Sequence, residues 1–147
     1  MEEIIVKPIG FVKNKLLEIK GSGWKTMFSE IELTSDFSNK SFDGIEDFSH
    51  LEIVFYFHKS TKTIIGNAHP RRNLNSSKVG IFAMRKQDRP NHIGITIVKL
   101  IKIEGKKLVV LGLDALNGTP VLDIKPVVKR LFPKENIKEP DWVNNNT

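Results

Sequence analysis

Apolar positions along this chain recur mostly at strand spacing, and few stretches carry the period of a helix. Ile4–Val12 is apolar and β-branched, broken mainly by Lys7, Pro8 and Gly10. Phe28–Leu33 alternates, with Phe28, Glu30 and Glu32 on one side and Ser29, Ile31 and Leu33 on the other. Leu51–Phe57 is almost continuously apolar, which predicts a strand buried on both faces. Val79–Met84 predicts another short strand. Ile93–Ile103 places Ile93, Ile95, Ile97, Ile101 and Ile103 on one face; Glu104-Gly105-Lys106-Lys107 then turns the chain, and Leu108–Leu113 returns as a hairpin partner. Val121–Ile124 predicts a last strand, and helix signals are limited to Val127–Leu131 and a turn near Asp43–Phe48. Six or seven short strands with turn chemistry between them predict an all-β sandwich or barrel.

The 147 residues hold no internal repeat, low-complexity tract or dividing linker, so one domain is expected, with a barrel or sandwich core over about 1–132 and a tail over 133–147. Without cysteine there is neither a disulfide framework nor a thiolate metal site. No apolar run approaches the roughly 20 residues that span a bilayer. The start, Met-Glu-Glu-Ile-Ile-Val-Lys, lacks the basic region and cleavage site of a secretory leader, which predicts a cytoplasmic protein.

The net charge of +6 is unevenly divided. Residues 1–57 carry 6 basic and 10 acidic side chains, residues 58–107 carry 12 and 2, and residues 108–147 carry 5 of each. A basic block of that size predicts a polyanionic partner, with a merely solvated face as the plainer alternative.

Polar chemistry concentrates in two stretches. Residues 112–126 read Gly-Leu-Asp-Ala-Leu-Asn-Gly-Thr-Pro-Val-Leu-Asp-Ile-Lys-Pro, and Asn117-Gly118 is a strong tight-turn dipeptide between Asp114 and Asp123. Such polar density exceeds what a plain hairpin needs, so the segment predicts the rim of a binding site. Residues 79–94 run from an apolar strand into Arg85-Lys86-Gln87-Asp88-Arg89-Pro90-Asn91. The guanidinium forks of Arg85 and Arg89 suit phosphate or carboxylate, although an ordinary basic loop would read the same way. Upstream, His69-Pro70-Arg71-Arg72 lies in a long polar run, 66–77, that favours an anion-binding loop. His50, His58 and His92 lack the close spacing of a zinc site, so no metal is expected. There is no dinucleotide, Walker or nucleophile-elbow motif, so any nucleotide-like cofactor would be held by loops on a β scaffold.

Three segments together resemble the TsaA-like (TrmO) family. They are Phe48-Ser-His-Leu with Phe57-His58, then Val79-Gly-Ile-Phe-Ala-Met-Arg with Arg89-Pro-Asn-His-Ile-Gly94, then Leu113-Asp with Asn117-Gly-Thr-Pro-Val-Leu-Asp-Ile-Lys-Pro126. The resemblance runs from about Ile9 to Pro126. It implies a β-barrel, generally homodimeric, that uses S-adenosyl-L-methionine to methylate tRNA at N6 of N6-threonylcarbamoyladenosine beside the anticodon, at position 37. By the same resemblance the cofactor would lie against Lys59, Ser60, Arg85, Lys86, Thr96 and the turn Leu113-Asp114-Ala115. His69, Arg71, Arg72, Arg85, Arg89 and Asn91 would face the RNA. Departures from the family pattern include Met84 where a small residue is usual and His92 where a second proline is typical.

The acceptor nitrogen must shed a proton, and Asp123 and His58 are the titratable candidates. Asp123 also shares a strand face with Lys125, so a structural Asp–Lys pair is the competing reading. Two other functions remain open: a non-catalytic RNA-binding barrel, and a methyltransferase of the same fold acting on another RNA or a small molecule. The first needs exposed rings, for which Trp24, Phe28, Trp142 and Phe82 are the candidates.

Overall fold

The computed structural model describes residues 2–70 and 74–144. Among these residues eight strands follow in chain order: β1 (Gly10–Lys13), β2 (Phe28–Leu33), β3 (His50–Tyr56), β4 (Asn67–Ala68), β5 (Val79–Gly80), β6 (Ile93–Glu104), β7 (Lys107–Leu111) and β8 (Pro120–Pro126). Six close into an antiparallel barrel in the order β1-β2-β7-β6-β3-β8, and β4 with β5 forms a separate two-stranded ribbon. Among the described residues, helical structure is confined to short 3-10 turns.

Period-2 alternation places the core. β2 buries Ser29, Ile31 and Leu33 as its pattern predicts. β3 does not match its continuous apolar reading: Leu51, Ile53 and Phe55 point into the barrel, while Val54 is half-buried and Tyr56 exposed. The barrel has one filled interior and a solvated outside, so a strand here has one buried face. The isoleucines of β6 reverse the same way. Ile93, Ile95, Ile97 and Ile101 lie on the outside, with Gly94 and Val98 turned inward. The register between β6 and β7 shifts between Leu100 and Lys102, and this bulge returns Ile103 to the core side. The run 79–84 is a two-residue strand followed by a 3-10 turn over Ile81–Ala83. Before Gly10 the segment 2–8 forms no strand, and Ile4 and Ile5 are exposed.

Turn chemistry closes the hairpins. Gly105 (φ +59°) makes the two-residue β6–β7 connection, and Gly118 (φ +82°) turns the chain into β8. Asn14 locks the end of β1 to that second turn. Its Nδ2 donates to Ser29 Oγ and to the Ala115 carbonyl, both at 2.9 Å, and its backbone N–H donates to Asn117 Oδ1 at 3.1 Å. Among the described residues no helix is long and apolar enough to cross a membrane.

A methyl group at Gly10 would sit 2.5 Å from the Glu32 carbonyl oxygen, which belongs to the paired strand and cannot move aside. Gly10→Ala is therefore expected to cost about 1–3 kcal/mol of unfolding free energy. Urea denaturation checks it, and an unchanged midpoint would mean that β1 and β2 have room to spare.

Candidate functional site

A cleft of about 480 Å³ opens where β3 ends, β6 begins and the 112–115 segment passes. Its floor is aromatic. Phe55 and Phe57 meet edge to face at 5.2 Å between centroids, and Gly94 on β6 lets both rings approach. A Cβ at Gly94 would stand 2.7 Å from Phe55 Cε2 and 2.7 Å from Phe57 Cζ. Met84, Ile93, Ile95 and Thr96 continue the wall, and Phe82, Arg85, Arg89 and Asp114 complete it. The volume and the mix of apolar lining with a few converging polar groups are those of a small-molecule site, typically about 300–1,000 Å³.

Asp114 is the polar centre of this cleft. Its Oδ1 is shielded from solvent and has no hydrogen-bond partner within the protein. Burial holds its carboxyl above the ordinary value of 3.8. A shielded acceptor left unmet costs on the order of 1–3 kcal/mol. The carboxylate therefore fits a ligand that brings donors, such as the hydroxyls of a ribose or an amino group. Its neighbours in sequence do not share the role, because the side chains of Leu113 and Ala115 lie in the barrel core. Of the predicted triplet, only Asp114 faces the cleft.

The two arginines divide their work. Arg89 spends its guanidinium on its own loop, donating from Nη1 to the Met84 carbonyl at 2.9 Å and more weakly to the Lys86 carbonyl at 3.4 Å. Arg85 is exposed, and its one hydrogen bond among the described residues is a long one, 3.5 Å from Nη2 to the Ile95 carbonyl. Arg85 is thus the cation available to an incoming anion, and Arg89 the brace that shapes the loop. Two further ties hold that loop: Ser60 donates to Asp88 Oδ1 at 2.7 Å, and Lys86 Nζ donates to the His69 carbonyl at 2.6 Å. His69 itself donates to the Ser76 carbonyl at 2.7 Å. Ser60, Lys86 and His69 therefore act on the loop, and none of them lines the cleft; Lys59 and Asn91 are exposed outside it. Arg71 and Arg72 lie outside the described residues.

His92 carries φ +50°, the one positive value outside glycine among the described residues. A proline, fixed near −65°, could not adopt it. Its Nε2 donates to the Lys62 carbonyl at 2.9 Å, which ties the 59–63 segment to the start of β6.

Neither proposed proton acceptor lines the cleft. Asp123 forms an ion pair with Lys125 on the half-exposed outside of β8 and also accepts the Ile124 N–H at 2.9 Å. His58 follows Phe57 and lies with Nδ1 3.3 Å from Thr119 Oγ1, in the turn before β8. Burial, and then the charge of Lys59, lower its pKa, so its imidazole is neutral at pH 7. Among the described residues no group of three or more His, Asp or Glu side chains could hold a metal ion. Sequence reasoning missed the cleft's aromatic floor, because Phe55 and Phe57 read as core, and it missed the brace at Asn14.

Comparison with known proteins assigns this architecture. Residues 10–131 match the family model described as the tRNA-methyltransferase O N-terminal domain. The human tRNA (adenine(37)-N6)-methyltransferase is 44% identical over 98 residues, which cover 66% of this chain and 22% of the human protein. A probable S-adenosyl-L-methionine-binding protein of Pyrococcus abyssi is 34% identical over 149 residues, covering 97% of this chain and 78% of its own length. The crystal structure of TrmO from Pseudomonas aeruginosa superposes with a TM-score of 0.78 at 29% identity, over 97% of this chain and 62% of that one. The chain thus spans about a fifth of the human relative and about three fifths of the bacterial structure. On the match over residues 10–131, the chain belongs to the tRNA-methyltransferase O (TrmO) family.

Proposed function

We propose that this protein is an S-adenosyl-L-methionine-dependent methyltransferase acting on tRNA, and that it methylates N6 of N6-threonylcarbamoyladenosine at position 37. The single observation that carries the reading is the unpartnered Asp114 Oδ1 on the wall of a cleft that the exposed guanidinium of Arg85 also lines. The names borne by the human and archaeal relatives support the same chemistry.

When bound, S-adenosyl-L-methionine supplies a methyl group activated by its sulfonium. The chain's own residues then have positioning work to do, since alignment of reacting atoms about 3–3.5 Å apart supplies much of the acceleration. Asp114 would accept hydrogen bonds from the cofactor's hydroxyls or amino group, and Phe55, Phe57 and Gly94 form the apolar floor of the cleft. Arg85 holds an anionic group, either the cofactor's carboxylate or an RNA phosphate. Of the two titratable candidates, neither of which lines the cleft, His58 has its base form free at pH 7, whereas the carboxylate of Asp123 is engaged by Lys125. Ile97 and Ile101, the exposed isoleucines of β6 that do not line the cleft, mark the face we assign to a second copy of the chain in a homodimer.

The direct test incubates the protein with methyl-labelled S-adenosyl-L-methionine and tRNA from a strain lacking the gene. Label is expected in N6-methylated threonylcarbamoyladenosine, and binding of tRNA with no label in any nucleoside would leave a non-catalytic RNA-binding barrel. Asp114→Asn is expected to weaken cofactor binding about ten- to a hundredfold by calorimetry, the loss of a hydrogen bond to a charged group. The same change should not weaken the fold. Because burial raises this carboxyl, the stability it contributes is complete below 3.8 and lost as pH rises through its folded value. Asp114→Asn should therefore melt at or above the wild type at pH 7, with the difference vanishing towards pH 3. Arg85→Ala should reduce the slope of log affinity for tRNA against log salt by about 0.7–0.9, one phosphate contact; an unchanged slope would take Arg85 off the RNA surface.

A further inference from the structure

We propose that Phe82 is a stacking platform for a nucleobase of the RNA acceptor strand at the mouth of the cleft. This deepens the reading just given and rests on it.

The ring is 83% exposed, more than any other aromatic side chain among the described residues; Phe28 is next at 60%. Its presentation is built in. Phe82 occupies the middle of the 3-10 turn Ile81–Ala83, and the residues on either side of that turn's outward face are pinned. Ile81 is 1% exposed and donates its N–H to the Gly66 carbonyl at 2.9 Å, and Met84 is 6% exposed and donates to the Ile81 carbonyl at 3.2 Å. With both anchors in the interior, the ring cannot turn inward without lifting them out. Its neighbour Ala83 is exposed and too small to cover it. A phenylalanine held in water forfeits the free energy of burial, so a fixed and uncovered ring beside a cleft calls for a partner.

The chemistry around it selects the partner. Phe82 lines the cleft with Arg85 and Arg89, and Lys59 and Lys62 are exposed on the segment that braces the same loop. An apolar peptide gains nothing from that charge. A nucleotide uses both features, because its base has a π-face for the ring and its phosphate an anion for the guanidinium. The cofactor's own adenine is the other source of a π-face. A ligand held by the shielded Asp114 Oδ1 lies against the cleft's inner wall, whereas the ring stands at the solvent edge where a macromolecular substrate arrives.

The test compares Phe82→Ala, Phe82→Leu and Phe82→Trp in the full chain. All three should keep the wild-type melting temperature, since a side chain 83% exposed contributes little buried surface to the fold. Phe82→Ala should weaken binding of unmodified tRNA about five- to a hundredfold, in line with one lost stacking contact, with S-adenosyl-L-methionine affinity unchanged by calorimetry. Phe82→Leu keeps apolar bulk without a π-face and should fall with the alanine variant. Phe82→Trp should restore tRNA binding, and its emission above that of Trp24 and Trp142 in the wild type should be quenched by tRNA and not by S-adenosyl-L-methionine. Wild-type tRNA affinity in the leucine variant, or quenching by the cofactor alone, would overturn the assignment. Failure of the wild type itself to bind tRNA would instead bring down the reading on which it rests.

Discussion

β8 hydrogen-bonds to β3 along one edge and to β1 along the other, and a sheet closed in this way leaves no edge strand free. The closure also fixes where chemistry can sit. The Asn117-Gly118 turn delivers the chain into β8, so the segment before it, with Asp114, is carried past the ends of β3 and β6. Asn14 ties that segment to the end of β1 and to Ser29 of β2, which gives the carboxylate a rigid mount. The cleft is therefore a product of barrel closure, assembled from strands far apart in sequence.

Charge follows the same geometry. The basic block at 58–107 is continuous in sequence and divided in space, since β6 runs for twelve residues, about 40 Å at the usual strand rise. At one end Lys59, Lys62, Arg85, Lys86 and Arg89 surround the cleft and its loop. At the other, Lys102 and Lys107 are paired with Glu104 and Glu30, and Lys106 donates to the Thr34 carbonyl. Among the described residues, it is the first group that lies near the cleft and can offer it cationic surface, so the count of lysines in the block overstates the field there.

Much of this was legible in the residues. The alternation of β2, the Glu104–Lys107 turn and the Asn117-Gly118 bend all lie where local pattern places them, because each depends on neighbours in sequence. The failures share a cause. A period-2 pattern separates two faces of a strand without saying which is inside, so the isoleucines of β6 read as core when Gly94 and Val98 hold that place. A bulge such as that at Ile101 is invisible to periodicity. At the site, family likeness marked residues 113–115 as a block, whereas the segment after β7 buries Leu113 and Ala115 in the core and leaves only Asp114 on the cleft. Asp123 and Lys125, two apart on one strand, did meet as the plainer reading had it.

Gly94 has an evolutionary corollary. The packing of the cleft's floor depends on one missing carbon, and glycine and alanine codons differ by a single base. One such change would drive a methyl group into the rings of Phe55 and Phe57, which form that floor and would have to shift. The shape of the floor and the polar chemistry of the walls are therefore set by different residues, the first by Gly94 and the second by Asp114 and Arg85.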